Sequence, residues 1–209
     1  MNASASVVFI VDDDEHVRTA LARLIRCAGY RVETFASAEA FVEGADLKTC
    51  PACLLLDLQL PDLSGLGLQR QLHEWLPVVF ISGHGDLNSA IDAMKAGATD
   101  FLPKPVHEEV LLAVLERALE RARRIFAARA ELADIQSRLD QLTRRERQVM
   151  TLVVEGYLNK QVASELGAAE KTIKIHRARV MEKMKAGSVA ELVRLAEKAR
   201  AAPSSDAGL

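Results

Sequence analysis

Three charged landmarks in this 209-residue chain each follow a short apolar run. Val11-Asp12-Asp13-Asp14 closes the first run and Leu54-Leu55-Leu56-Asp57 the second. Phe101-Leu102-Pro103-Lys104-Pro105 sets a lone lysine after a third. If the runs are strands of a parallel sheet, their C-terminal ends meet in one crevice, where open α/β sheets bind ligands. Carboxylates clustered there repel one another unless a hard divalent cation offsets them, and a lysine beside them suits a phosphoryl oxygen. The set reads as a Mg²⁺-assisted site for phosphorylating one aspartate. Its carboxylate would attack phosphorus to give an acyl phosphate, and the cation would offset charge and orient the displacement.

The elements that would position these groups alternate two periodicities. Val7–Val11, Arg31–Thr34, Cys53–Leu56, Val78–Ile81 and Thr99–Leu102 are short, apolar or β-branched, and predict strands. Helical spacing lies between them: Val17, Leu21, Leu24 and Ile25 after an Asp14 cap; Ala38, Phe41 and Val42; Leu66, Leu68, Leu72 and Trp75; Leu87, Ile91 and Met94, stopped by Gly97; then Val110, Leu111, Val114, Leu115 and Leu119. Five strands alternating with five helices predict an α/β domain with a doubly wound five-stranded parallel sheet. Neither Gly nor Pro occurs from Val106 to Glu155, a stretch of 50 residues. Apolar residues recur every seven positions at Leu111, Ala118, Ile125, Leu132 and Leu139, which predicts a long helical linker and leaves coiled-coil pairing through it open.

Beyond the linker the pattern is purely helical. Thr143-Arg144-Arg145-Glu146 is a capping box ahead of Val149, Leu152 and Val153, with Gly156 as the stop. Asn159 is expected to cap a short helix carrying Val162, Ala163 and Leu166. Gly167 makes a turn, a basic helix runs from about Glu170 to Lys185, and Ser188-Val189-Ala190-Glu191 opens a last helix. The tail, 201–209, is small and polar and expected to be disordered.

Residues 1–126 hold 12 basic and 18 acidic residues, a net −6, whereas residues 127–209 hold 15 and 11, a net +4. The basic half is the candidate for nucleic acid. No segment approaches the ~18 apolar residues of a membrane span, and the start lacks a signal peptide's basic region, so a soluble cytoplasmic protein without membrane association is expected. Cys50-Pro51-Ala52-Cys53 has redox-site spacing, but it runs straight into a strand rather than opening a helix. The thiols are therefore read as buried or loop residues. His84, between Gly83 and Gly85, is read as a loop residue rather than a ligand.

With these motifs in order, residues 7–124 resemble the receiver domain of two-component response regulators, the flavodoxin-like fold seen in CheY. The resemblance implies that Asp57 is the phosphoacceptor. It implies that Asp12 and Asp13 hold Mg²⁺ (or Mn²⁺) with Asp57 and the backbone carbonyl of Gln59. Ser82 would contact the phosphoryl group, Lys104 would neutralise it, and Phe101 would be the aromatic switch; the bond before Pro105 is usually cis in such domains. The loop His73-Glu74-Trp75-Leu76-Pro77 is a few residues shorter than usual. Two rivals stand beside this reading. Haloacid-dehalogenase-type phosphatases also use a strand-end Asp nucleophile, but they need a second Asp two residues on, where this chain has Gln59. A regulator that ignores phosphorylation would be expected to carry a broken acidic site, and this one is intact.

Residues 142–200 resemble the LuxR-type four-helix helix-turn-helix domain of NarL/FixJ-type regulators. The resemblance rests on Leu142-Thr143-Arg144-Arg145-Glu146-Arg147, on Gly156 to Ala163, on Leu166-Gly167, and on Lys171 to His176 with Arg179 to Met184. The helix near 170–185 would then be the recognition helix in the DNA major groove. Ile173, Val180 and Met184 would face inward. Lys171, Thr172, Lys174, Ile175 and Ala178 would face DNA, flanked by Arg177 and Arg179. Lys174 would donate to guanine, Ile175 and Ala178 would pack on thymine methyls, and Lys160, Arg179 and Lys183 would meet phosphates. His176 is assigned to packing or capping. Ala168-Ala169 departs from the larger apolar residue and Ser/Thr cap usual before this helix, at a cost of about 1 kcal/mol.

The expected organisation is a receiver over 1–124, a helical linker over 125–141 and the helix-turn-helix domain over 142–200. The expected partners are a sensor histidine kinase, double-stranded promoter DNA at two closely spaced half-sites, RNA polymerase, and a second copy of the chain when phosphorylated. Nothing beyond phosphoacceptor chemistry is expected by way of enzyme activity.

Overall fold

The computed structural model describes residues 6–61, 65–72, 75–83 and 87–201. The elements are β1 (Val7–Val11), α1 (Glu15–Cys27), β2 (Arg31–Phe35), α2 (Ala38–Gly44), β3 (Ala52–Asp57), α3 (Gly65–Leu72), β4 (Val78–Ser82), α4 (Leu87–Lys95), β5 (Asp100–Pro103) and α5 (Glu108–Asp140). They are followed by α6 (Arg144–Val154), α7 (Asn159–Glu165), α8 (Glu170–Lys183) and α9 (Val189–Ala201). The strands pair in parallel in the order β2-β1-β3-β4-β5. Strand ends lie within a residue of the sequence expectation, with β3 reaching Asp57 and β5 reaching Pro103.

Alternation along each strand feeds two cores. Val8, Ile10, Cys53, Leu55, Val79 and Ile81 meet α1 and the first turns of α5 on one face. Phe9, Leu54, Leu56, Val78 and Phe80 meet α2, α3 and α4 on the other. Every residue of β1, β3 and β4 is buried, as a sheet covered on both faces requires. The helix ends follow local chemistry. The Asp14 carboxylate accepts from the His16 and Val17 amides and caps α1, and Gly97, Gly156 and Gly167 take the left-handed turns that end α4, α6 and α7. Cys53 lies in the sheet interior, where burial pushes its thiol up to about 12, and the Cys-x-x-Cys pair leads into β3 rather than opening a helix.

The chain divides into two compact units between Ala127 and Ala128, and α5 (Glu108–Asp140) runs through the stretch expected as a helical linker over 125–141. Helix α5 is continuous through the boundary. Its residues Leu111 and Ala118, expected in a heptad seam, are spent on the first unit's sheet. Ile135, 1% exposed, and Leu139 belong to the second unit's core with Leu142, Val149, Val162, Ile173, Val180, Met184 and Leu192. The reason is spacing: Ile135 and Leu139 stand one turn apart, and no breaker intervenes, so the same helix carries its apolar face into a second core. A correction concerns α7. Leu158, not Asn159, is its N-cap; the Gln161 side chain accepts from the Leu158 amide, and the Asn159 amide oxygen is used elsewhere. Of the tail 201–209, Ala201 is the last turn of α9 and the rest lies outside the described residues. Among the described residues no helix is long and apolar enough to cross a membrane.

The capping box at α6 forms in both directions: Glu146 N–H donates to Thr143 Oγ1 (3.2 Å) and Thr143 N–H to Glu146 Oε2 (2.9 Å). The same Oε2 accepts from Lys183 Nζ at 2.7 Å, and the Glu146 residue is 2% exposed. The Lys183 ammonium, with the Thr143 amide, draws the Glu146 carboxyl down to about 2.

Two outcomes follow from this packing. Ile135→Ala should cost the second unit about 2–4 kcal/mol. In denaturation of the full chain, fluorescence of Trp75, the single tryptophan and a first-unit residue, should keep its midpoint. The circular dichroism transition of the second unit should move to lower denaturant, and an unmoved one would show that Ile135 carries no such packing. For Glu146, the folded value lies below the ordinary 4.5. The ion pair therefore stabilises fully above about pH 4.5 and is lost as pH falls towards 2. The stability gap between wild type and Glu146→Gln, measured by urea unfolding, should be constant from pH 6 to 8 and shrink below about 4.5; a gap independent of pH would count against the pair.

Candidate functional site

Parallel pairing sets the strand ends side by side. Val11 is opposite Leu56, Asp57 opposite Ile81, and Ser82 opposite Pro103. Asp12 and Lys104 are each the first residue beyond this frame, and the Lys104 amide donates to the Ser82 carbonyl at 2.8 Å. The Lys104–Pro105 peptide is cis. Asp12 is 1% exposed, Asp57 7%, and Ser82 fully buried, while Asp13 is open to solvent.

Lys104 Nζ donates to Asp12 Oδ2 at 2.8 Å and to Asp57 Oδ2 at 2.6 Å. The other oxygens accept from the backbone: Asp12 Oδ1 from the Asp14 amide and Asp57 Oδ1 from the Gln59 amide, both at 2.9 Å. Arg18 Nη1 donates to the Asp12 carbonyl at 2.7 Å and fixes the turn. Burial raises the Asp12 carboxyl, with the Asp57 charge adding to it and the Lys104 and Asp14 donors working against it. Burial also opposes the charged form of Lys104, but the Asp12 and Asp57 carboxylates outweigh it and the ammonium is held. One carboxylate oxygen from each of Asp12, Asp13 and Asp57 lies within 4.8 Å of the others. Three carboxylates facing one ammonium are short of positive charge, and an all-oxygen donor set suits a hard divalent cation. Phe101 is half-buried against the sheet face that carries α2, α3 and α4; its amide donates to Asp100 Oδ1 (2.9 Å), whose other oxygen accepts from Arg117 Nη2 (2.6 Å). His84 and the shortened loop's His73 and Glu74 lie outside the described residues.

The second unit presents a basic helix. In α8, Ile173, Val180 and Met184 are buried and hold it on the core. Lys171, Thr172, Lys174, Ile175, Ala178 and Arg179 are exposed, and Ile175 keeps 48% of its surface in water, which is unusual for so apolar a side chain. Lys160, at the start of α7, is also exposed. Lys174 pairs with Glu170 one turn back at 3.1 Å. Arg177 is half-buried, and its Nη1 donates to Asn159 Oδ1 at 3.0 Å. The Lys183 ammonium, expected to meet a phosphate, donates to Glu146 Oε2 and, at 3.1 Å, to the Gln141 carbonyl, and so ties α8 to α6. His176 is half-buried, in keeping with a packing role. Sequence reading missed Glu146 beyond its cap, because nothing local marks a partner 37 positions away. It also missed Arg138, whose Nη1 donates to the Met184 carbonyl.

Comparison with known proteins accounts for both halves. Residues 8–116 match the response regulator receiver domain family, and residues 140–196 match the bacterial regulatory proteins of the luxR family. The chain is 44% identical over 201 residues to the response regulator protein TmoT of Ectopseudomonas mendocina, covering 95% of this chain and 91% of that one. It is 44% identical over 196 residues to the transcriptional regulatory protein FixJ of Rhizobium meliloti strain 1021, covering 90% and 94%. The solved structure of the response regulator StyR resembles it with a TM-score of 0.78 at 43% identity, over 93% of this chain and all of that one. The crevice of carboxylates on a parallel sheet and the basic helix on a separate unit thus belong to a two-component response regulator, in which a receiver domain governs a LuxR-type DNA-binding domain that regulates transcription.

Proposed function

We propose that Asp57 takes a phosphoryl group from the phosphohistidine of a sensor kinase, and that this turns on DNA binding by the second unit. The observation that carries the reading is the Lys104 ammonium 2.6 Å from the Asp57 carboxylate, beside the Asp12 and Asp13 carboxylates. An oxygen of Asp57 attacks phosphorus, the P–N bond to the kinase breaks, and the imidazole nitrogen leaves with the electron pair and takes up a proton. Asp12, Asp13, Asp57 and the Gln59 backbone carbonyl would hold Mg²⁺ or Mn²⁺, which when bound offsets charge on the carboxylates and the incoming group. Lys104 exchanges its bond to the Asp57 carboxylate for one to a phosphoryl oxygen, and Ser82 donates its hydroxyl. Drawing Ser82 towards the phosphoryl group lets Phe101 turn inward. The surface made by α4, β5 and α5 then changes and pairs two receivers.

In the second unit α8 enters the major groove. Lys174 reads guanine, Ile175 and Ala178 meet thymine methyls, and Lys160, Lys171, Thr172, Arg177 and Arg179 hold the backbone or flank the read bases. The dimer sits on two half-sites and acts with RNA polymerase.

Light scattering with and without BeF₃⁻ and Mg²⁺ tests the switch. Wild type should pass from monomer to dimer and Asp57→Asn should not. If neither changes, Asp57 does not control assembly. For the DNA face, duplexes selected by wild type from a randomised pool supply the probe. Lys174→Ala should cost about 1–3 kcal/mol and relax preference at one base position. Arg179→Ala should weaken all duplexes alike and lower the salt slope by about 1; the reverse pattern would exchange their roles.

A further inference from the structure

We infer that Arg138, on the last turn of α5, is a positioning residue for DNA reading: it fixes the C-terminal end of α8 and so the angle at which α8 meets DNA. This rests on α8 being the recognition helix. The apolar anchors of α8 are Ile173, Val180 and Met184, and apolar contacts are non-directional, so they tolerate small rotations and tilts. Direction comes from hydrogen bonds, one from Arg177 to Asn159 midway along α8 and the others at its C-terminal end. Arg138 Nη1 donates to the Met184 carbonyl at 2.9 Å, one of the carbonyls that a helix end leaves without an intrahelical partner. A cation there also meets the negative end of the helix dipole. In the opposite sense, Lys183 of α8 donates to the Gln141 carbonyl just beyond α5. The two bonds cross between the same pair of helix ends.

Arg138 is itself held. Its side chain is 19% exposed and ion-paired with Asp134 one turn earlier. Ile135 and Leu139 seat the same turns of α5 in the core that takes Val180 and Met184. Past Met184 the chain turns at Lys185, a non-glycine residue at φ +52, closed by Ala186 N–H to Met181 O (2.9 Å) and Lys185 N–H to Glu182 O (3.0 Å). A left-handed lysine at a helix stop persists only where its surroundings enforce it, and the Arg138 bond on the preceding carbonyl is one such constraint.

The lever is long. At about 1.5 Å per residue, Lys171 lies roughly 20 Å along α8 from Met184. A tilt of about 5° at the held end would move the reading face by roughly 2 Å, more than the span of good hydrogen-bond distances. Phosphate contacts absorb such a shift, because flexible cations follow the backbone; base-edge contacts do not. Loss of Arg138 should therefore harm discrimination more than general affinity.

The test uses the full-length chain with Arg138→Met, Arg138→Gln and Arg138→Lys. Each is titrated at one salt concentration with the duplex wild type selects from a randomised pool and with a shuffled duplex of equal composition. Arg138→Met should lower the ratio of the two affinities about tenfold, with shuffled-duplex binding within about twofold of wild type. Amide exchange at 183–186 should quicken while that of α6 is unchanged, and Arg138→Lys should recover most of the ratio. An unchanged ratio, or equal loss on both duplexes, overturns the inference and leaves Arg138 merely structural. If Arg138→Met does not fold, Arg138→Gln and Arg138→Lys decide by the same ratio. A Lys174→Ala/Ile175→Ala double variant separates the two readings. If it keeps the wild-type ratio, α8 is not the recognition helix; if it loses the ratio while the Arg138 variants keep theirs, the Arg138 inference alone falls.

Discussion

The Lys104 ammonium between the Asp12 and Asp57 carboxylates is the contact that ties together the buried charged groups at the first unit's strand ends. Two carboxylates at 1% and 7% exposure at neighbouring strand ends are costly to bring out of water. One ammonium shared between them returns part of that cost, and backbone amides at 2.9 Å satisfy the remaining oxygens. Fully apolar packing would serve stability as well or better. A sheet that keeps an under-neutralised acidic cluster at its ligand-binding edge holds it for what the cluster binds. The raised Asp12 carboxyl records the same tension: burial and the Asp57 charge push one way, the lysine and the Asp14 amide the other.

That arrangement depends on register. With Val11 opposite Leu56 and Ser82 opposite Pro103, the groups that follow arrive together at one edge. A slip of one residue in any of these strands would turn its side chains to the other face of the sheet and separate Lys104 from its partners. Register in turn is fixed by the two cores, because each strand's alternate residues belong to different clusters, Val8 and Ile10 to one and Phe9 to the other. The edge strand β2, exposed at Arg31 and Thr34, contributes none of the charged groups.

Which features could be read in the chain follows from how local they are. Asp12, Asp57 and Lys104 were legible because each abuts an apolar run, and parallel topology then brings them together whatever the loops do. The capping box at Thr143 and Glu146 was legible for the same reason. The Lys183 to Glu146 bond was not, since a lysine on a basic helix looks alike whether it faces DNA or a buried carboxylate 37 residues away. Nor was the limit of the second unit. The absence of Gly and Pro announced a long helix, but Ile135 and Leu139 fit a heptad seam and a core equally well in sequence; the structure assigns them to the core. The Asn159 cap failed because Arg177, 18 residues on, takes the side-chain oxygen that would have capped.

The second unit faces a different constraint from the first. Helix α8 leaves Lys171, Lys174, Ile175, Ala178 and Arg179 in solvent, so little of it remains to bury. Polar tethers supply the rest: Arg177 to Asn159, Lys183 to Glu146, Arg138 to the Met184 carbonyl, and Arg145 to the Leu166 carbonyl in the turn before α8. The cations of this half are therefore of two kinds. Lys171, Lys174 and Arg179 lie in solvent, where a polyanion can reach them. Lys183 and Arg138 are committed to carboxylates and carbonyls within the fold. Net positive charge marks the half that meets nucleic acid, but it does not say which cations make the contact. A cation already bonded at 2.7 Å to a buried carboxylate must break that bond and strand the partner before it can serve a phosphate.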